Sequence, residues 1–96
     1  MIIYGHNLLP VYAELARLGL TESERRFGQW LGVTPQYLRD HRRAAGRAKV
    51  HPRTATRLRR QLVELAQRLT PGLRREVEAI SVRLECDAAV AAMLVR

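Results

Sequence analysis

Thr21 to Arg43, TESERRFGQWLGVTPQYLRDHRR, reads as two short helices joined by a tight turn, with the rest of the chain arranged about them. The joint is Leu31-Gly32-Val33-Thr34. A glycine after an apolar helix end supplies the left-handed residue that closes a helix at least cost, and Thr34 and Pro35 then serve as N-cap and first position of the next. Phe27 and Leu31 stand four apart on one face of the first helix with Trp30 beside them, and Val33 and Leu38 supply apolar contacts from the turn and the second helix. Gly28 lies inside that first helix, where a glycine costs about 1 kcal/mol relative to alanine. Its expected use is to let the second helix approach closely. At the front, Thr21 and Glu24 form a capping box that starts the helix near Glu22, and a cap at Ser23 is the alternative that shortens it by two residues.

Gly28, Gly32 and Leu38, with Phe27, Leu31 and Val33 in the apolar slots between and beside them, together resemble the helix-turn-helix of the lambda-repressor and Cro class of DNA-binding proteins. Pro35 and His41 depart from the usual pattern of that class. With its usual flanking helices the resemblance covers about residues 8–69. It implies an all-α fold, a partner in double-stranded DNA, and a regulator of the dimeric phage, plasmid or bacterial kind, acting in the cytoplasm and on the nucleoid when bound. The second helix, expected from Pro35 to about Ala44, becomes the one that enters a major groove.

With Leu38 buried, Gln36, Arg39, Asp40 and Arg43 project from the other side of that helix. Glutamine can pair with an adenine edge and arginine with guanine N7 and O6. Asp40 either accepts from a cytosine amino group or orients Arg43, three residues on, through a same-face ion pair. Thr34, Tyr37, Arg42, Arg47, Lys49, Arg53 and Arg57 are the candidates for the DNA backbone. For Tyr37 two uses stand open, a phosphate or thymine-methyl contact and a cover over the edge of the motif. Glu22 and Glu24 suit the dipole of their helix but oppose a phosphate at its N-terminus; Arg25 and Arg26 either compensate or are solvated.

Charge placement agrees with this assignment. Between Arg39 and Arg60 nine bases stand against one acid, Asp40, so the segment carries the whole of the chain's +8. The remainder holds eight bases and eight acids. A basic face beside a helix-turn-helix is suited to phosphate, because each neutralised phosphate releases condensed counterions. Arginine outnumbers lysine sixteen to one, which a GC-rich genome explains as readily as function.

Flanking segments read as three more helices. Met1–His6 is a short apolar leader that either lies along the domain or stays mobile. Asn7 is the expected cap of a first helix carrying Leu8, Val11, Tyr12, Leu15 and Leu18 to a stop at Gly19, with Pro10 in its first turn. Ala45–Pro52 reads as a loop, and His51 as a loop residue within it. A fourth helix from about Arg53 to Leu69 bears Leu58, Leu62, Leu65 and Leu69, with Arg60 also near its basic start. Thr70 and Pro71 then open a fifth, to about Leu94. It carries Leu73, Val77, Ile80 and Leu84, then Ala88, Ala91 and Val95, an eleven-residue repeat that keeps the stripe nearly straight. That stripe either folds back to close the core as a helical hairpin or, as the length and alanine-rich tail favour, forms a homodimer interface through Leu73, Val77, Ile80, Leu84, Ala88 and Ala91.

Ninety-six residues suffice for one small domain. No apolar run reaches the roughly 18 to 20 residues of a membrane span, the N-terminus lacks the features of a secretory signal, and a single cysteine, Cys86, fits a reducing cytosol. The three histidines and Cys86 have no metal-ligand spacing, no cofactor motif is present, and no nucleophile or carboxylate pair is set up for catalysis. A binding protein is therefore expected rather than an enzyme. The remaining alternatives are a protein-interaction module such as an antitoxin or adaptor, whose fifth helix engages a protein partner, and a binder of structured RNA.

Overall fold

Residues 1–94 are described by the computed structural model; Val95, the last member of the expected stripe, lies outside them. Five helices follow in order: α1 (Gly5–Arg17), α2 (Glu24–Leu31), α3 (Tyr37–Arg43), α4 (Pro52–Gln67) and α5 (Pro71–Leu94). The all-α expectation holds, with no strand among the described residues. None of these helices is long and apolar enough to cross a membrane. Leu8 and Leu15 of α1, Phe27 and Leu31 of α2, Leu38 of α3, Leu58 and Leu62 of α4 and Val77 and Leu84 of α5 meet in one core.

α2 begins at Glu24, because the Ser23 hydroxyl accepts from the Arg26 N–H at 3.1 Å; Thr21 instead reaches the Ser23 carbonyl. Ser23 is thus the cap, and the start near Glu22 is corrected by two residues. Gly32 ends the helix in the left-handed conformation at φ +79°, as its position after Leu31 requires. Gly28 serves the turn rather than the following helix: a methyl group there would lie 3.3 Å from the Thr34 carbonyl oxygen. Gln61 of α4 donates to the Trp30 carbonyl at 2.7 Å and holds this end of α2 on the core.

α1 starts earlier than expected, and the reason lies in the leader. Ile3 is fully buried, and its carbonyl accepts from Val50 N–H at 2.9 Å while Gly5 N–H donates to the Ala48 carbonyl at 2.9 Å. Tyr4 and Lys49 form the antiparallel bridge between these bonds. Asn7 is therefore not the cap: it stands one turn inside, where its Oδ1 accepts from the Tyr4 N–H at 2.9 Å. Pro10 accordingly falls in the second turn, where the helix has no donor for the carbonyl of exposed His6.

The two long helices close the molecule. Val77, Ile80, Leu84, Ala88 and Ala91 are all buried against the rest of their own chain, and Leu73 is half-buried. This corrects the assignment of the stripe to a dimer interface: α5 folds back along α4 and also covers α1, so these side chains are spent on the core of one molecule. The Arg74 Nε donates to the Ala66 carbonyl at 3.1 Å and caps the C-terminal turn of α4, fixing the hairpin.

Candidate nucleic-acid interface

α3 is a seven-residue helix, shorter than the expected Pro35–Ala44. Proline fixes its own φ and favours the second position of a β-turn. Tyr37 N–H accordingly donates to the Thr34 carbonyl at 3.1 Å, and Gln36 sits at φ −83°, ψ −6° with no capping bond from its side chain. Thr34 is thus the first residue of a turn, not an N-cap, and it is exposed. At the other end, the Gly46 N–H donates to the His41 carbonyl at 2.9 Å with φ +70°, and a methyl group at Gly46 would stand 2.9 Å from the His6 backbone nitrogen. The helix end is pinned against the start of α1.

Leu38 and His41 of α3 turn inward and are buried, while Gln36 at its N-cap and Arg39, Asp40 and Arg43 within it are exposed on the opposite side. The four expected base-reading residues therefore share one free face. Asp40 makes no ion pair with Arg43 among the described residues, so the orienting role expected for it is not present.

Tyr37 and Arg42 are placed differently from the expectation that both meet the DNA backbone. Tyr37 is half-buried, its ring edge-on to His41 with centroids 4.7 Å apart. Burial raises its pKa, and the neighbouring Thr54 side chain and His51 backbone oppose that shift. The residue braces α3 on the start of α4. Arg42 forms an ion pair with Glu24 in the first turn of α2. That contact links the two helices of the motif and neutralises one of the acids that oppose a phosphate there; Arg26 lies 4.0 Å from the other, Glu22.

Seven exposed cations flank or share the free face of α3. Of the nine bases between Arg39 and Arg60, two are paired with acids, Arg42 with Glu24 and Arg59 with Glu85. Arg39, Arg43, Arg47, Lys49, Arg53, Arg57 and Arg60 have no carboxylate within 4.0 Å among the described residues. The ladder with Ile3 and Gly5 fixes the loop that carries Arg47 and Lys49. Arg53 and Arg57 line a shallow concavity with Gly32 and Arg60, and the Arg57 guanidinium lies over Gly32, where a methyl group would come within 2.9 Å of its Cζ. Turn and basic helix start thus meet at one place.

Two supports of this surface carry little signal in the sequence. His51 caps α4, its Nδ1 accepting from Arg53 N–H at 3.1 Å, and Thr54 faces Tyr37. His51 immediately before Pro52 was the available sign, since a residue before a first-turn proline occupies the cap position. No protein-family model, curated protein or solved structure matches the chain.

Proposed function

We propose that this chain is a sequence-specific DNA-binding regulator that sets α3 into the major groove of a duplex. The observation that carries the reading is the free face of Arg39, Asp40 and Arg43 on a short helix with Gln36 at its N-cap, bordered by Arg47, Lys49, Arg53 and Arg57, cations with no carboxylate within 4.0 Å among the described residues. A seven-residue helix is about 10 Å long, comparable with the roughly 12 Å width of the major groove. Gln36 and the two arginines offer bidentate donors to base edges, and the flanking cations hold phosphates and set the register. Arg42 and Tyr37 act behind them, holding the helix to α2 and α4. Regulation then follows from occupancy: a protein seated on an operator excludes polymerase. Such a protein works on the bacterial nucleoid, in the cytoplasm.

Selection of bound duplexes from a random pool at about physiological salt tests the proposal, because nonspecific electrostatic binding is weak there. A consensus is the expected result. Salt-sensitive binding without a consensus, or preferential competition by structured RNA, overturns it in favour of an adaptor or an RNA-binding protein.

A further inference from the structure

α1 and α5 leave a cleft of about 250 Å³ between them. Its floor is apolar, made by Val11 of α1 and by Ile80 and Leu84 of α5, all buried. Its walls carry charge. Glu14 is already occupied, because its carboxylate takes two bonds from Arg17, at 3.1 and 2.8 Å. Arg83 and Asp87 are not: neither has an oppositely charged group within 4.0 Å among the described residues, although they stand one turn apart on the same face of α5. The α1 wall adds an acceptor. Pro10 has no N–H to give the His6 carbonyl, and both residues line the cleft. The His6 N–H donates to the Gly46 carbonyl at 3.0 Å, so this turn of α1 is held in place whether or not the cleft is filled.

These groups narrow the ligand by charge, span and size. Arg83 opposes a polyamine or a metal ion and Asp87 opposes a phosphate, whereas a zwitterion satisfies both. Side chains one turn apart start about 5 to 6 Å from each other, and the ammonium and carboxylate of an α-amino acid, both bonded to one carbon, fit between two such head groups. The volume lies below the roughly 300 to 1,000 Å³ of sites for drug-sized ligands and suits one such small molecule. Over a floor of valine, isoleucine and leucine, its side chain is apolar.

We infer that the α1–α5 cleft binds an apolar α-amino acid, with its carboxylate on the Arg83 guanidinium, its ammonium between the Asp87 carboxylate and the His6 carbonyl, and its side chain on Val11, Ile80 and Leu84. A guanidinium and a carboxylate pair through two parallel bonds, which fixes the orientation of the ligand. Arg83 is exposed, so water screens that pair and the dissociation constant falls at about 10 µM to 1 mM. Because His6 also holds Gly46 at the end of α3, the cleft adjoins the proposed interface, but the site does not rest on DNA binding.

Calorimetric titrations of the full chain with leucine and with phenylalanine, at about pH 7 and 0.15 M salt, are expected to show saturable one-site binding of at least one of them. Its N-acetyl derivative lacks the ammonium and its amide lacks the carboxylate; each is expected to bind about 10-fold more weakly or worse, and glycine not measurably. Arg83→Gln and Asp87→Asn are each expected to weaken binding by about 10-fold or more with the melting temperature unchanged, since Arg83 is exposed, Asp87 is half-buried and neither is paired. The comparison of derivatives uses the wild-type chain and so does not depend on how the variants fold. No saturable binding of either amino acid up to about 10 mM, derivatives that bind as well as the parent, or folded variants that bind like the wild type overturns the inference. These readouts contain no DNA, so failure here is separate from failure of the operator selection.

Discussion

Arg39 and Lys49 are both exposed cations within the same basic segment, yet they are placed for different work. Arg39 shares the free face of α3 with Gln36, whereas Lys49 is set by the bridge to Tyr4 at the margin. Arg39→Ala is expected to lose about 10-fold or more in discrimination between selected and random duplexes, equivalent to the roughly 1 to 3 kcal/mol of a bidentate base contact. Lys49→Ala is expected to weaken both alike, so competition binding against the two duplexes separates the roles. His41 differs from both: the residue is 6% exposed, its ring packs against Gly5 and Tyr37, and its Nδ1 has no hydrogen-bond partner among the described residues. Burial lowers its pKa, with Asp40 opposing. Tyr37, Asp40, Lys49 and His51 border the same recess. The unfolded chain therefore takes up a proton at a pH where the folded chain does not, and stability falls as pH drops below about 6.5 toward the folded pKa. Urea unfolding from pH 7.5 to 5 is expected to show that fall in the wild type and a shallower one in His41→Leu.

At the scale of the element, α5 makes the sharpest test, because its stripe of Val77, Ile80 and Leu84 is buried within one chain. Ile80 is 8% exposed against α4 and α1, so Ile80→Asp places a carboxylate in the core and is expected to cost several kcal/mol and unfold the chain by circular dichroism. The periodicity of that helix was legible in the sequence; whether its stripe met the core of its own chain or a second copy was not, since valine and alanine recur on both sides. The α2 stop at Gly32 was legible because a left-handed residue has few sequence alternatives. The start of α3 was misplaced because Thr34-Pro35 suits a β-turn as well as a helix start, and the turn is what the Tyr37-to-Thr34 bond forms. Of the proposed interface, the free face of α3 could be read from Leu38 alone. The roles of Arg42 and Tyr37 could not, because they depend on Glu24 and Thr54, which only the folded chain brings near.

For the whole molecule, net charge and its distribution govern how association responds to salt. Arg47, Lys49, Arg53 and Arg57 are the cations proposed for phosphate, while Arg42 and Arg59 are occupied within the chain. If each of the four neutralises one phosphate, the slope of log K against log salt is about −3.6 per protomer on B-DNA. Titrations between about 50 and 200 mM salt check that value, and a slope near zero removes phosphate contact from the reading.

The pairing of Ile3 with Val50 has one more consequence, for when entropy is spent. A loop bearing Arg47 and Lys49 that was free in the unbound protein would have to be ordered at the moment of association, at roughly 1 to 2 kcal/mol per residue fixed. Here residues more than forty positions apart in the chain close that loop during folding, so the cations are preorganised before any ligand arrives. Removing Met1–Ile3 is therefore expected to move that cost into binding: weaker association with a more unfavourable entropy by calorimetry, although no deleted residue touches the nucleic acid.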